Sequence, residues 1–262
     1  MLRENPVIWI VWVGDLDQPE ACPRLVGTVK IGGVIKGVMF DFSGTLFRIE
    51  SATQWLNAVT ASAGLAVPDE ELDACASRLE EFGAQPGGVP PHRVPPHLEA
   101  LWRERDLTAE RHRAAFTALT REAKLPLPDL AEALYDRSQV SGAWQPYPDT
   151  EETLHALRGR GIPVAVVSNI GWDMRPVFRD HGIDDLVDAY FLSFECGVEK
   201  PDPRIFQMAC DKLKVAPGDA LMVGDDRVAD AGAGTLGCRV HLVDPLPVDQ
   251  RPSALAAVLR LL

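Results

Sequence analysis

The chain has 262 residues, of which 46% are hydrophobic, and this is enough to bury one sizeable core with or without an inserted part. Its formal net charge of -12 repels phosphate backbones and anionic lipid, which argues against a nucleic-acid or membrane-surface partner. We therefore expect a soluble globular protein, monomer or homodimer, that needs a local positive site to hold an anionic small molecule.

Residues 1–36 are predicted to form an N-terminal extension, for which two interpretations stay open. Its apolar stretch PVIWIVWV is too short to span a bilayer, and Asp15 and Asp17 follow at once without a small-residue cleavage site. The extension is either a β-rich edge element or the product of a start codon assigned too early. The five cysteines of the chain are widely spaced and include no CxxC pair, which favours a reducing compartment, so we expect a cytoplasmic protein.

Five apolar segments are predicted to be buried strands, and the first of them ends on an acidic residue. VIKGVMFDF, residues 34–42, is mostly apolar and places Asp41 at its carboxyl end. The other segments begin at residues 161, 188, 219 and 238: GIPVAVVSN, DAYFLSFE, DALMVGDD and CRVHLVD. In an open α/β sheet, the carboxyl ends of the strands form the edge where ligands bind.

Helical patterns lie between the strand segments. They cover residues 148–161 and 203–213, and a third, residues 251–262, has Ser253 as its predicted cap. Strands that alternate with helices predict βαβ units, so the predicted fold class is α/β, with a Rossmann-like parallel sheet as its core.

The middle of the chain shows helical spacing of apolar residues and no strand pattern. Its helical segments are residues 68–83, 106–124 and 128–138. The stretch QPGGVPPHRVPPH, residues 85–97, has too many prolines and glycines for regular structure. We therefore predict an all-helical cap, residues 51–147, inserted into the α/β core. The core comprises residues 37–50 and 148–262, and the hinges lie near residues 48–51 and 144–148.

Four further residues stand out by type. His92 and Arg93 lie in the proline-rich stretch, for which the first interpretation is a solvated loop and the alternative is contact with the substrate pocket. Trp144 and Trp172 are expected to pack near the hinge or to form a wall of the pocket.

Four short polar elements follow strand segments or lie between them. They are Asp41 with Ser43 and Thr45, Ser168 with Asn169, Lys200 in GVEKPDPRIF, and Asp225 with Asp230 in VGDDRVAD. A carboxylate at a strand end can attack phosphorus and form an aspartyl-phosphate. That reaction needs a divalent cation against charge repulsion, donors for the phosphoryl oxygens and a cation for the developing charge. The four elements provide all three.

In this order, the four elements resemble those of the haloacid dehalogenase-like (HAD) hydrolase superfamily, in the branch with a helical cap inserted after the first motif. The resemblance runs from about residue 36 to the C-terminus. It implies that Asp41 is the nucleophile and that Ser168, Asn169 and Lys200 hold the phosphoryl group. Thr45 is implied to lie in the loop that supports the nucleophile.

The resemblance also implies a cofactor and a substrate class. The expected ion is Mg²⁺, which prefers an octahedron of oxygen ligands. Its implied ligands are Asp41, the backbone carbonyl of Ser43, Asp225 and Asp230, with Asp230 orienting the site. Asp226 is expected to cap the local turn, and the implied substrate is a small phosphorylated molecule.

Ser43 departs from the pattern of the family's phosphatases, which have an aspartate two residues after the nucleophile. Serine keeps the backbone carbonyl but has no group that is acidic near neutral pH. General acid-base catalysis is worth about 10²- to 10⁴-fold in rate. A phosphatase with Ser43 is therefore expected to be slow on alkyl phosphates, to prefer leaving groups that need no proton, or to use an acid from the cap.

Three hypotheses follow for the activity. The first is a Mg²⁺-dependent phosphatase with altered or low activity. The second is hydrolysis of a carbon-halogen or carbon-phosphorus bond, the latter needing a cap lysine, for which Lys124 is the only candidate in residues 51–147. The third is a weakened protein that binds a phosphorylated ligand and serves in regulation.

Overall fold

The computed structural model describes residues 34–262, so the hypotheses on the N-terminal extension concern residues that lie almost wholly outside the described part. The strands within it are β1 (Gly37–Phe40), β2 (Phe47–Ile49), β3 (Trp144–Pro146), β4 (Val164–Ser168), β5 (Ala189–Leu192), β6 (Ala220–Gly224) and β7 (Arg239–Leu242). The α-helices are α1 (Ala52–Ser62), α2 (Asp69–Glu81), α3 (Glu99–Arg103), α4 (Ala109–Glu122), α5 (Ala131–Ser138), α6 (Thr150–Gly159), α7 (Arg175–Asp180), α8 (Ser193–Cys196) and α9 (Pro203–Leu213). Short 3₁₀ turns connect many of them.

Five strands form one parallel sheet in the order β5-β4-β1-β6-β7, which confirms the predicted α/β fold. All four residues of β1 are buried because this central strand has neighbours on both edges and is covered on both faces. Since β4 and β6 flank β1 in parallel, the carboxyl ends of these three strands lie side by side. The sheet order therefore brings the first, second and fourth polar elements to one edge.

Helix α9 shows how the sheet is covered. Its residues Ile205, Phe206, Ala209, Cys210 and Leu213 are all buried, and they share an apolar cluster with the strand residues that face them. This confirms the helix predicted for residues 203–213. Asp202 caps the helix by accepting a hydrogen bond from the backbone N–H of Arg204.

Between β2 and β3 the chain forms the helical insertion that the sequence predicted, with helices α1 to α5. The insertion has its own apolar core, whose members include Trp55, Leu56, Leu79, Leu119 and Leu134. Strands β2 and β3 pair antiparallel at its two entry points. We call residues 51–147 the helical insert from here on.

Several local features differ from the prediction. Strand β3 lies within residues 51–147, for which an all-helical cap was predicted. Helix α1 was missed, although its capping box of Ser51 and Gln54 is a readable signal. The tail forms a 3₁₀ helix, Leu255–Arg260, rather than an α-helix, and Ser253 does not cap it. Asp149 accepts the hydrogen bonds of Leu255 and Ala256 instead, so a residue distant in sequence replaces the predicted cap.

None of the helices in residues 34–262 is long and apolar enough to cross a membrane. The cysteines within this range, Cys75, Cys196, Cys210 and Cys238, are free thiols.

Candidate active site

Asp41 follows β1 directly, at the carboxyl edge of the sheet. Its backbone N–H donates to the carbonyl of Val223 on β6 at 2.9 Å, and only 8% of the residue is exposed. The chain then turns at Gly44, which has a φ of +74°. A Cβ at this position would overlap the carboxylate of Asp225, so the tight turn and the close approach both require glycine.

Arg251 holds the same turn from the far end of the chain. Its guanidinium donates to the carbonyl of Gly44 at 2.6 Å and to the carbonyl of Thr45, and it lies over the ring of Tyr147. Burial lowers the pKa of Arg251, which is nevertheless a strong enough base to stay charged. Sequence reasoning missed this residue because it belongs to no motif and precedes an apolar tail.

Lys200 is the cation of the site. Its Nζ lies 2.6 Å from Asp230 Oδ1 and 2.8 Å from Asp41 Oδ1, and only 4% of the residue is exposed. The contact with Asp41 is an ion pair without hydrogen-bond geometry, because Oδ1 receives no hydrogen bond. Burial opposes the charged form of Lys200, but attraction to Asp230 and Asp41 outweighs it and raises the pKa above its ordinary value.

Asn169 fixes the backbone of Lys200. Its side-chain amide donates to the carbonyl of Lys200 at 2.8 Å and accepts from the backbone N–H of Lys200 at 2.7 Å. The geometry therefore favours a positioning role for Asn169. Ser168, at the end of β4, is 3% exposed and lies on the wall of the adjacent cavity.

Carboxylate oxygens of Asp41, Asp225 and Asp230 all lie within 4.8 Å of one another and could hold a metal ion. Burial, together with repulsion from Asp41 and Asp230, raises the pKa of Asp225 to about 8. Burial and the charge of Asp41 likewise raise the pKa of Asp230 to about 6, although Lys200 opposes this. The hydroxyl of Thr45 lies 3.4 Å from Asp225 Oδ1. A cation bound at this cluster would offset the repulsion among the three carboxylates.

Asp230 and Asp226 have different local tasks. Asp230 Oδ2 accepts from the backbone N–H of Asp226 at 2.9 Å, while its Oδ1 meets Lys200. Asp226 Oδ1 accepts from the backbone N–H groups of Val228 and Ala229, which confirms the expected local cap.

Ser43 faces the helical insert. Its hydroxyl donates to the carbonyl of Gly87 at 3.1 Å. A cavity of about 40 Å³ lies here, lined by Phe42, Ser43, Pro86, Gly87, His112, Trp144, Ser168, Asn169, Ile170 and Trp172. The two tryptophans therefore form part of the wall. A larger cavity of about 250 Å³ lies on the insert beside Lys124 and contains none of the motif residues.

Of the two interpretations of His92 and Arg93, the structure favours the solvated loop over contact with the pocket. Both side chains are exposed, and neither lines the cavity at Ser43. The backbone of Pro86 and Gly87, earlier in the same proline-rich stretch, reaches the site instead, because the stretch folds back along α2 through a hydrogen bond from His92 N–H to Glu81.

The insert also contributes two buried polar residues that the sequence did not single out. His112 on α4 lies 3.6 Å, Nε2 to Oδ1, from Asp106 in the preceding turn. Burial raises the pKa of Asp106. The charge of Lys200 opposes this rise, and the charge of Asp41 adds to it. Burial and the charge of Arg105 lower the pKa of His112 to about 3. A lone histidine on an amphipathic helix gives no signal in the sequence that separates it from a core residue.

The parallel sheet, the helical insert and a strand-end aspartate beside a buried lysine and an acidic cluster together define an α/β enzyme core in which a carboxylate and a potential metal site meet. A family model described as haloacid dehalogenase-like hydrolase matches residues 35–235. The chain belongs to this family, and the resemblance seen in the four polar elements is confirmed.

Three relatives show the range of the family. (S)-2-haloacid dehalogenase 1 of Pseudomonas sp. (strain CBS-3) is 33% identical over an alignment of 156 residues, and the match covers 53% of this chain and 67% of that protein. Phosphoserine phosphatase of Thermus thermophilus is 36% identical over 118 residues, 44% of this chain and 46% of that protein. The crystal structure of L-2-haloacid dehalogenase from Xanthobacter autotrophicus with chloropropionic acid covalently bound has a TM-score of 0.58 at 21% identity, covers 86% of this chain and 83% of that one, and shows the fold alone.

Proposed function

We propose that this protein is a Mg²⁺-dependent phosphatase that acts on a small phosphorylated molecule through an aspartyl-phosphate on Asp41. The observation that carries the proposal is the convergence of Asp41, Lys200 and the acidic cluster at one sheet edge. Asp41 is the nucleophile in this proposal, and Lys200 offsets the charge that develops on the phosphoryl oxygens. Ser168 donates to the same oxygens, and Asn169 and Thr45 hold the surrounding backbone and carboxylates in place.

The residues present fit a Mg²⁺ ion. Asp41, Asp225 and Asp230 offer only oxygen donors, which Mg²⁺ prefers, and these oxygens lie close together. The backbone carbonyl of Ser43 would be the remaining ligand that the protein supplies to the ion. Because both oxygens of Asp230 already have protein partners, we assign it the outer, orienting position. When bound, the ion supplies charge neutralisation between the carboxylate nucleophile and the anionic phosphoryl group.

Residues 37–50 and 148–262 form the catalytic core in this proposal, and the helical insert acts as a cap. The cavity at Ser43 is smaller than a substrate, so the insert has to move away before a substrate can enter. Strands β2 and β3 lie at both entry points and are the natural hinge. Closure would then exclude water from the reacting groups.

A second candidate is hydrolysis of a carbon-halogen bond. Ser43 has no acid, three aromatic side chains, Phe42, Trp144 and Trp172, border the cavity, and a haloacid dehalogenase is among the relatives. Against it stands the acidic cluster, because without a metal ion the single charge of Lys200 does not balance three carboxylates, and the excess negative charge repels an anionic substrate. Chloride release from 2-chloropropionate in the presence of EDTA would favour this candidate over the phosphatase.

The phosphatase proposal is tested by turnover of acetyl phosphate and 4-nitrophenyl phosphate with and without Mg²⁺. We expect turnover that needs Mg²⁺ and disappears in Asp41→Asn, while the exposed Asp180→Asn on α7 keeps the wild-type rate. Ser43→Asp is expected to raise turnover. Absence of turnover in wild type and in Ser43→Asp would contradict the proposal and move the weight to a protein that only binds a phosphorylated ligand.

A further inference from the structure

His112 is a titratable residue of the helical insert that reaches the cavity of the core. It lies on α4, is 3% exposed, and lines the same cavity as Ser43 and Ser168. Its ring packs so closely on the loop after β4 that a Cβ on Gly171 would overlap it. The glycine backbone thus lets an imidazole from the insert approach the site where an acid is missing.

The two ring nitrogens of His112 differ in their surroundings. Nδ1 lies 2.7 Å from the hydroxyl of Tyr135 on α5, which fixes the ring. Nε2 lies 3.6 Å from Asp106 Oδ1, which is beyond hydrogen-bond distance. With Nδ1 engaged by Tyr135, Nε2 is the ring nitrogen that can exchange a proton with a substrate.

The turn that carries Asp106 is tied to the core. The hydroxyl of Ser193, at the start of α8, donates to the backbone carbonyl of Asp106 at 2.6 Å, and it accepts from the backbone N–H of Ile170 at 2.9 Å. Arg105 pairs with the other carboxylate oxygen of Asp106 at 3.0 Å. Closure of the insert on the core therefore sets the position of His112 relative to the loop after β4.

In the absence of substrate His112 can accept a proton, and it can donate one only after a bound anion has raised its pKa. Burial and the charge of Arg105 keep its pKa at about 3, so the imidazole is neutral at neutral pH when the site holds no substrate. A dianionic phosphoryl group bound beside the ring would stabilise the imidazolium. Proton uptake is thus coupled to substrate binding.

We propose that His112 Nε2 performs the proton transfers that an aspartate at position 43 would otherwise perform. The inference rests on the proposed phosphatase function and adds a catalytic residue to it. Tyr135 is a positioning residue, which holds the ring through Nδ1, while Asp106 lies beside Nε2 without a hydrogen bond to it.

The transfers balance over the two half-reactions. In the first, a bond forms between the Asp41 carboxylate and phosphorus, the bond from phosphorus to the leaving oxygen breaks, and the imidazolium gives its proton to that oxygen. In the second, a water oxygen bonds to phosphorus, the bond from Asp41 to phosphorus breaks, and the neutral imidazole takes the proton of the water. Asp41 returns as a carboxylate and His112 as an imidazolium.

The test compares leaving groups of similar size: 4-nitrophenyl, phenyl and benzyl phosphate, each with Mg²⁺. The value of kcat/KM reports the first half-reaction, in which nitrophenolate leaves without a proton and benzyl alcohol needs one. We expect His112→Gln to lower kcat/KM for benzyl phosphate by about 10²-fold or more and for 4-nitrophenyl phosphate by less than about 3-fold. The exposed His97→Gln is the matched control and should change neither value.

Rescue separates proton transfer from packing. Ser43→Asp combined with His112→Gln should restore kcat/KM for benzyl phosphate by at least about 10-fold over His112→Gln alone, because the new carboxyl replaces the missing acid. An equal loss for all three substrates, or no rescue, overturns the inference. If the wild type turns over 4-nitrophenyl phosphate but not benzyl phosphate, the inference on His112 is overturned and the proposed phosphatase function stands. If no turnover depends on Asp41, both are overturned.

A measurement on the wild type covers the case in which His112→Gln does not fold. Tungstate with Mg²⁺ serves as the phosphoryl mimic, and the ring signals of His112 are followed by NMR with those of His97 as the internal reference. We expect tungstate to shift the His112 signals towards the protonated position and to leave His97 unchanged. Unchanged His112 signals at saturating tungstate overturn the inference.

Discussion

The pH dependence of unfolding provides a direct test of the state of His112. The perturbation is His112→Gln, compared with the wild type and with His97→Gln, whose imidazole is exposed and paired with Glu122. Three groups face the buried ring: Tyr135 at Nδ1, Asp106 at Nε2, and Arg105, whose charge acts on it. Burial and the positive charge of Arg105 both lower the pKa of the ring and so favour the neutral imidazole.

The magnitude follows from the two pKa values. In the folded state the pKa of His112 is about 3, compared with 6.5 for an unperturbed histidine. Between these values the unfolded chain binds a proton that the folded protein does not, so the contribution of His112 is fully present above pH 6.5 and is lost as the pH falls. At pH 5 the loss is about 2 kcal/mol, because each pKa unit is worth about 1.4 kcal/mol.

The assay is urea unfolding at pH 7.5, 6 and 5, with thermal unfolding in parallel. Other groups also titrate in this range, so the quantity of interest is the difference between the wild type and His112→Gln at each pH. We expect that difference to shrink by about 2 kcal/mol between pH 7.5 and pH 5, which corresponds to roughly 4 to 8 °C in Tm for a domain of this size.

Parallel curves for the wild type and His112→Gln over this range would refute the reasoning, since they would mean that His112 titrates alike in the folded and unfolded states. His97→Gln should run parallel to the wild type. A failure of His97→Gln to do so would show that the pH dependence comes from solvent-exposed histidines instead.

Three further predictions concern the core. Lys200→Met leaves the buried carboxylates of its two ion pairs without a cation, so we expect a loss of about 3 to 5 kcal/mol in the free energy of unfolding, measured in urea, with the exposed Lys212→Met unchanged. Asp225→Asn should raise the free energy of unfolding in EDTA at pH 7 by up to about 4 kcal/mol, because the penalty for ionising Asp225 grows as the pH rises from 3.8 towards its raised pKa of about 8. The same substitution should abolish any increase of Tm by Mg²⁺. Arg251→Met removes the two hydrogen bonds that hold the turn after Asp41, so we expect a loss of about 2 to 4 kcal/mol and a lower kcat, and Arg260→Met in the same tail should change neither.

The sequence was enough for the parts of the fold that depend on local pattern. A continuous apolar run ending in Asp41 predicts a buried central strand, because only a strand covered on both faces tolerates such a run. The apolar face of α9 was likewise readable, since helical spacing is set by neighbouring residues. The alternation of these segments predicts the parallel sheet that the structure shows.

The set of polar elements at strand ends was also determined by sequence. The placement of the first, second and fourth elements at one edge follows from the fold class, because parallel strands point the same way, whereas Lys200 reaches that edge from the loop after α8. The structure brings Asp41, Lys200, Asp225 and Asp230 together as this reasoning requires, while their chemical roles stay proposals.

Contacts between residues far apart in sequence were decided only by the tertiary structure. Arg251 reaches the turn at Gly44, and Asp149 caps the tail where Ser253 was expected, because hydrogen-bond partners are chosen by proximity in the packed core. His112 becomes part of the cavity wall only because α4 docks on Gly171, and nothing in the spacing of α4 marks it. Local sequence thus determined the elements and the reacting groups, and the packing of the insert on the core determined which further residues stand beside Ser43.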